Sequence, residues 1–197
     1  MRTAYLLLAA SLLGCSDTSA PTEKSPAELT ILRLAPTSPP LFNPVDSFYA
    51  LKGEDRELRI FFEDEVGAAG EEYLRLRVDA PSLVARPDGT PFATGDSVLI
   101  TVRVVDPARI LFQLEPAGLG FSSVVPARLK IQYDRADDDL DDDGDLDGDD
   151  ESLEGLLAIW RQELPGDPFA RIGSVRSEDL EEIDAELQGF SRYAIAY

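Results

Sequence analysis

The chain has 197 residues, 44% hydrophobic and 28% charged, enough to bury one large core or two small ones. Its 18 Lys and Arg against 38 Asp and Glu leave a net charge of −20, which repels phosphate backbones and argues against a nucleic-acid partner. Histidine is absent and Cys15 is the single cysteine, so histidine-based nucleophile triads, imidazole metal sites, internal disulfides and thiolate zinc clusters are excluded.

The chain opens with Arg2 and then an apolar run from Ala4 to Leu13, too short to span a bilayer permanently. The run ends Leu12-Leu13-Gly14-Cys15 and resembles the lipobox of bacterial lipoprotein signal peptides. The resemblance implies that residues 1–14 are a signal peptide and that the Cys15 thiol carries a diacylglycerol. Cys15 would then be the first mature residue. Acyl chains contribute about 0.8 kcal/mol per buried CH₂, so two or three of them hold a protein to a membrane stably. Ser16 follows the cysteine where an aspartate would favour inner-membrane retention, which points to the outer membrane. From Ser16 to Ala27 the chain is polar, with Pro21 and Pro26, and residues 15–27 read as the lipidated cysteine and a flexible tether.

Residues 28–197 read as one domain without internal repeats. Period-two alternation dominates as far as Tyr133. Leu58, Ile60 and Phe62 share one face; Leu74, Leu76 and Val78 repeat the pattern with Arg75 and Arg77 opposite. Val98, Ile100, Val102 and Val104 form the strongest strand signal, followed by Ile110, Phe112 and Leu114, then Leu129, Ile131 and Tyr133. Turn signals at Gly53, Pro87-Asp88-Gly89, Gly95 and Pro116-Ala117-Gly118 separate these runs. The expectation is an all-β fold, an antiparallel β-sandwich of roughly eight to ten short strands. Ser177 to Leu187 fits either a short helix or a hairpin leading into a strand, and Phe190 to Tyr197 reads as the last strand. Trp160 and Tyr193 fit core positions better than exposed ligand anchors.

Between Asp134 and Glu154 lie thirteen acids and one base, Arg135, so this acidic loop carries more than half of the net charge. Within it, Asp143-Gly144-Asp145-Leu146-Asp147-Gly148 and the residues to Glu154 match the calcium-loop pattern D-x-D-x-D-G-x₅-E. Hard cations take oxygen ligands at about 2.3–2.6 Å. In this frame Asp143, Asp145 and Asp147 point alternate carboxylates at one centre. Asp149 supplies a backbone carbonyl, Glu151 a water-mediated contact and Glu154 two closing oxygens. The frame departs from an EF-hand in two ways: Asp150 stands where an apolar residue is usual, and a strand precedes the loop instead of a helix. It resembles the calcium loops set between strands in extracellular proteins. The alternative is a solvated acidic spacer.

The stretch from Phe112 to Tyr197 contains Leu114-Glu115-Pro116-Ala117-Gly118, Pro126-Ala127-Arg128-Leu129-Lys130-Ile131, an acidic insert, Leu157-Ala158-Ile159-Trp160 and Gly189-Phe190-Ser191-Arg192-Tyr193-Ala194. It resembles the β-sandwich domain shared by zonula occludens proteins, netrin receptors and ankyrins, and particularly its bacterial cell-envelope relatives. That implies an interaction module and not an enzyme. Some members cut their own chain at His-Phe-Ser. Here Phe190-Ser191 matches but Gly189 stands in the histidine position, so Ser191 is expected to be a plain polar residue on the last strand. The leading expectation is a non-enzymatic envelope lipoprotein, anchored at Cys15, stiffened by calcium, with a protein or glycan partner. Two alternatives remain: a carboxylate-dependent hydrolase acting on envelope or extracellular glycans, and a structural anchor whose acidic loop spaces its neighbours by charge.

Overall fold

The computed structural model describes residues 23–197; the expected signal peptide, Cys15 and the expected tether as far as residue 22 lie outside the described residues. The described chain folds as an antiparallel β-sandwich. The larger sheet runs in the order β1 (Glu23–Lys24), β11 (Phe169–Arg171), β10 (Ala158–Gln162), β14 (Arg192–Ala196), β7 (Leu111–Glu115), β6 (Ser97–Asp106) and β2 (Val45–Leu51). The smaller sheet runs β12 (Ser174–Ser177), β13 (Glu182–Leu187), β9 (Ala127–Gln132), β4 (Ala69–Val78) and β3 (Arg56–Glu63). A two-stranded ribbon pairs β5 (Leu83–Ala85) with β8 (Gly120–Phe121). Every strand pairing is antiparallel.

The alternation read from the sequence decides which face each strand buries. In the smaller sheet Leu58, Leu76, Leu129 and Ala185 stand in register across β3, β4, β9 and β13, and all four are buried. Residues one place along, Arg59, Arg75, Lys130 and Asp184, take the outer face of the same strands. The larger sheet answers with Ile100, Val102, Phe112, Leu114, Tyr193 and Ile195, which join the same core. A smaller cluster of Leu29, Ala158, Trp160, Phe169, Ala194 and Ala196 covers the other face of the larger sheet. Trp160 and Tyr193 are both interior, and both satisfy their polar ends: Trp160 Nε1 donates to the Ala196 carbonyl at 3.0 Å, and the Tyr193 hydroxyl to the Gly189 carbonyl at 2.6 Å.

One expectation needs correction, and one open alternative is resolved. The tether was expected to extend through residue 27, yet Glu23 and Lys24 pair with Ala170 and Phe169, and a turn closes between Ser25 and Glu28. Backbone pairing to an open sheet edge, with Lys24 placed 5.5 Å over the Trp160 ring, holds these residues without any apolar alternation. Of the two readings of Ser177 to Leu187, the hairpin is the one formed. Ile183, Ala185 and Leu187 bury at period two in β13, and only one 3₁₀ turn (Glu178–Leu180) remains of the helix.

The acidic loop is the crossover between the sheets. It leaves β9 in the smaller sheet and enters β10 in the larger one, with a short helix α1 (Gly148–Glu154) at its end. The segment Ile31–Leu34 runs beside it: Leu34 bridges Ala136, and the Asp137 N–H donates to the Arg33 carbonyl at 2.9 Å.

Candidate metal centre

The crossover is built largely by carboxylates accepting from backbone N–H groups. Asp139 accepts from Asp143 N at 3.1 Å and from Gly144 N at 3.0 Å. Asp141 accepts from Asp143 N at 3.2 Å, and Asp143 from Asp145 N at 2.9 Å. These bonds coil the backbone tightly, and Gly144 turns it at φ +91, a conformation that favours a residue without Cβ. The result draws one carboxylate oxygen each of Asp139, Asp141 and Asp143 to within 4.8 Å of one another. Oxygens sharing one calcium ion stand no more than about 4.6–5.2 Å apart, so the group meets the distance limit for one hard cation. Asp139 is half-buried and the other two are exposed, so the triad opens to solvent.

The loop is tied to the sandwich at two points and closed on itself at a third. Arg33 donates to both oxygens of Asp142, at 3.1 and 3.0 Å, and approaches Asp137 at 3.7 Å. The Tyr197 hydroxyl donates to the Leu140 carbonyl. Asp150, buried in α1, accepts from Leu140 N at 2.7 Å, Asp141 N at 3.4 Å and Asp147 N at 3.0 Å, closing the neck of the loop. Asp147 caps α1 by accepting from Asp149 N at 2.8 Å, which with Asp150 completes a capping box.

Of the six expected ligands, only Asp143 belongs to the cluster that the fold assembles. Asp145 gives its N–H to Asp143. Asp147 is a helix cap, and Asp149 and Glu151 ride exposed on α1. Glu154 accepts from Arg176 at 2.7 Å and from the Tyr133 hydroxyl at 3.4 Å. The acids that converge in the fold thus lie four residues ahead of the expected frame, in Asp139-Leu140-Asp141-Asp142-Asp143-Gly144. The physical reason is the helix, which starts at Gly148 and takes Asp147 and Asp150 for its own N-terminus. Asp139 and Asp141, outside the expected set, also carried a sequence signal. The D-x-D-x-D-G pattern occurs twice, overlapping at Asp143, and the earlier frame places apolar Leu146 eighth and an acid, Asp150, twelfth.

The loop charges titrate in opposite senses. The Arg33 guanidinium holds the Asp142 carboxyl below its ordinary range. Asp150 is lowered chiefly by the Asp147 N–H, against the opposing effect of burial, with Leu140 and Asp141 N–H groups adding to it. Lost solvation, then the Asp143 charge, raise Asp141. A carboxylate lowered in the folded state stabilises the fold above its unfolded value, near 3.9, and that contribution disappears as the pH falls through the lowered folded value. The thermal midpoint in chelator is therefore expected to hold from neutral pH to about 5 and to drop below about 4. Arg33→Gln should remove part of that drop. A midpoint flat to about pH 3 would contradict the assignment. Asp141 acts the other way, because its raised value makes its ionised form a liability at neutral pH.

No protein-family model, no curated protein and no solved structure matches this chain.

Proposed function

We propose that this protein is a non-enzymatic cell-envelope lipoprotein, anchored through lipid at Cys15, whose β-sandwich is stabilised by calcium and serves binding rather than catalysis. The observation that carries the calcium part is the convergence of Asp139, Asp141 and Asp143 in the crossover between the two sheets. An all-oxygen, all-carboxylate donor set suits calcium over zinc or copper. The ion would be held by those three side chains, with water completing the shell. It would neutralise part of a connection that otherwise keeps thirteen acids together. Affinity in the range of extracellular modules, about 10⁻⁴–10⁻³ M, suffices where free calcium is plentiful.

The lipobox-like run ending at Cys15 supports the envelope location. The likeness of the C-terminal half to the sandwich of zonula occludens proteins, netrin receptors and ankyrins supports a protein or glycan partner. The anchor is tested by growing cells on an alkynyl fatty acid. The wild-type protein is expected to take up label and sediment with outer membranes, and Cys15→Ser to lose both. Label on Cys15→Ser, or a soluble unlabelled wild type, would overturn it.

A further inference from the structure

The two outer faces of the sandwich treat their bases differently. On the smaller sheet each outward base is met by an acid: Arg59 and Arg75 by Glu72, Arg77 and Arg128 by Asp79, and Lys130 by Glu182. The larger sheet does the reverse. Residues opposite one another in a sheet share a face. Register therefore sets Lys24 beside Phe169 and Arg171 beside Trp160, and it sets Arg192, Gln113 and Arg103 in one row across β14, β7 and β6. All lie on the face that Trp160 and Phe169 mark, because Gln162 joins Phe169 to Arg192. Lys24 lies over the Trp160 ring. None of Lys24, Arg103, Arg171 and Arg192 has an ion pair among the described residues. The Arg192 Nε is enclosed without a hydrogen-bond partner. Of the acids that register adds to this face, Asp106 is held by Arg109 and Glu115 stands alone. In a chain with 38 acids and 18 bases, this is a face of surplus cations. Toward its far edge Tyr49 and Leu99 stand opposite each other, 62% and 47% exposed.

The chain that precedes the described residues joins this same sheet. It enters at β1, the edge strand, and eight residue steps of at most about 3.6 Å keep Glu23 within about 29 Å of Cys15. We propose that the outer face of the larger sheet lies against the anionic lipid surface that holds Cys15. Arg103, Arg171 and Arg192 donate to headgroup phosphates, which suit the guanidinium fork. Tyr49 and Leu99 sit at headgroup depth, where such side chains settle. This rests on the lipid anchor proposed above. The net charge of −20 does not prevent it, because salt at 0.15 M screens charges beyond about 8 Å. A second copy of the chain, offering its acids to the same bases, is the competing occupant, but the tether brings lipid to this edge.

Trp160, the single tryptophan, lies on this face and reports on it. Both cores lie within residues 29–197, so the chain from Cys15 onward keeps the whole sandwich. Residues 15–197 are coupled through the Cys15 thiol to a maleimide phospholipid, which supplies the anchor chemically. Absence of lipid in cells and absence of docking are then separate results. The vesicles are phosphatidylcholine alone, or equal parts phosphatidylcholine and phosphatidylglycerol, with a headgroup nitroxide that quenches tryptophan through space, in chelator. Quenching is expected to be stronger on the anionic vesicles and to fall to the neutral level at 1 M salt, where the screening length is about 3 Å. Each base near an anionic surface strengthens attachment about fivefold, so Arg103→Gln with Arg171→Gln should lower the docked-to-free ratio about twentyfold. Both are exposed, so the fold tolerates their loss. Arg59→Gln with Arg128→Gln, the same charge change on the smaller sheet, should leave the quenching as it was. Equal quenching on the two vesicles, equal loss in the two double variants, or no loss with Arg103 and Arg171 replaced would each overturn the proposal. So would shielding of Trp160 that grows with protein density on neutral vesicles, which would give the face to a second copy.

Discussion

Calcium is expected to raise the thermal midpoint of the protein by roughly 5–10 °C at a concentration about a hundredfold above its dissociation constant. A ligand that binds only the folded state adds RT ln(1 + [L]/Kd), about 2.7 kcal/mol at that excess. A domain of this size moves about 2–4 °C per kcal/mol. A cation held by the triad would act as such a ligand, because the acids converge only in the folded crossover. Asp139 reaches Asp143 and Gly144 N–H groups, and Asp150 reaches back to Leu140, so the acids converge only when the loop is coiled. Magnesium should do less, because it demands near-octahedral geometry and gives up water reluctantly. The loop should also resist protease with calcium and be cut in chelator. Differential scanning in calcium, magnesium and chelator measures all three states, and identical midpoints would remove the stabilising role.

Phe112→Ala is expected to cost about 3–5 kcal/mol, a large share of the 5–15 kcal/mol that holds a typical domain together. Phe112 lies on β7, deep in the larger sheet between β14 and β6, and is fully buried. Its ring stacks on Tyr193 with centroids 6.2 Å apart and planes at 22°. Truncation removes that stack and leaves a void between the sheets which rigid neighbours on both sides cannot close. The thermal midpoint should fall by roughly 6–20 °C. Tyr49→Ala is the control. Tyr49 lies on the edge strand β2 of the same sheet but is 62% exposed, and its loss should stay within about 0.5 kcal/mol. Urea unfolding of the two variants checks the packing, and equal costs would mean that the larger sheet does not face the smaller one through Phe112.

The sandwich was legible because alternation is a direct physical record of one buried face. Leu58, Ile60 and Phe62, or Leu129, Ile131 and Tyr133, leave few other ways to hide their side chains. Trp160 and Tyr193 could be read as core for the same reason. The edge strand at Glu23 and Lys24 left no such record. Two residues carry no period, and their partners, Phe169 and Ala170, are set by the fold and not by neighbours in sequence. The aspartate cluster was legible as a region but not in its register. In a run this rich in aspartate, ligand, cap and spacer positions look alike. What separates them is backbone hydrogen bonding: Asp147 and Asp150 serve the N-terminus of α1, which leaves Asp139, Asp141 and Asp143 to converge. The capping-box spacing of Asp147 and Asp150 was a sequence signal for that helix, but it competed with a ligand pattern written in the same residue type.

The most direct test of the metal centre is calorimetric titration of calcium into the full chain and into two triple variants. One carries Asp139→Asn, Asp141→Asn and Asp143→Asn; the other carries Asp147→Asn, Glu151→Gln and Glu154→Gln. Each removes three charges, so a general electrostatic effect would weaken both alike. A specific site in the crossover predicts that binding disappears in the first variant and persists in the second. Binding that survives in the first and vanishes in the second, or no binding by the wild-type chain, would contradict it.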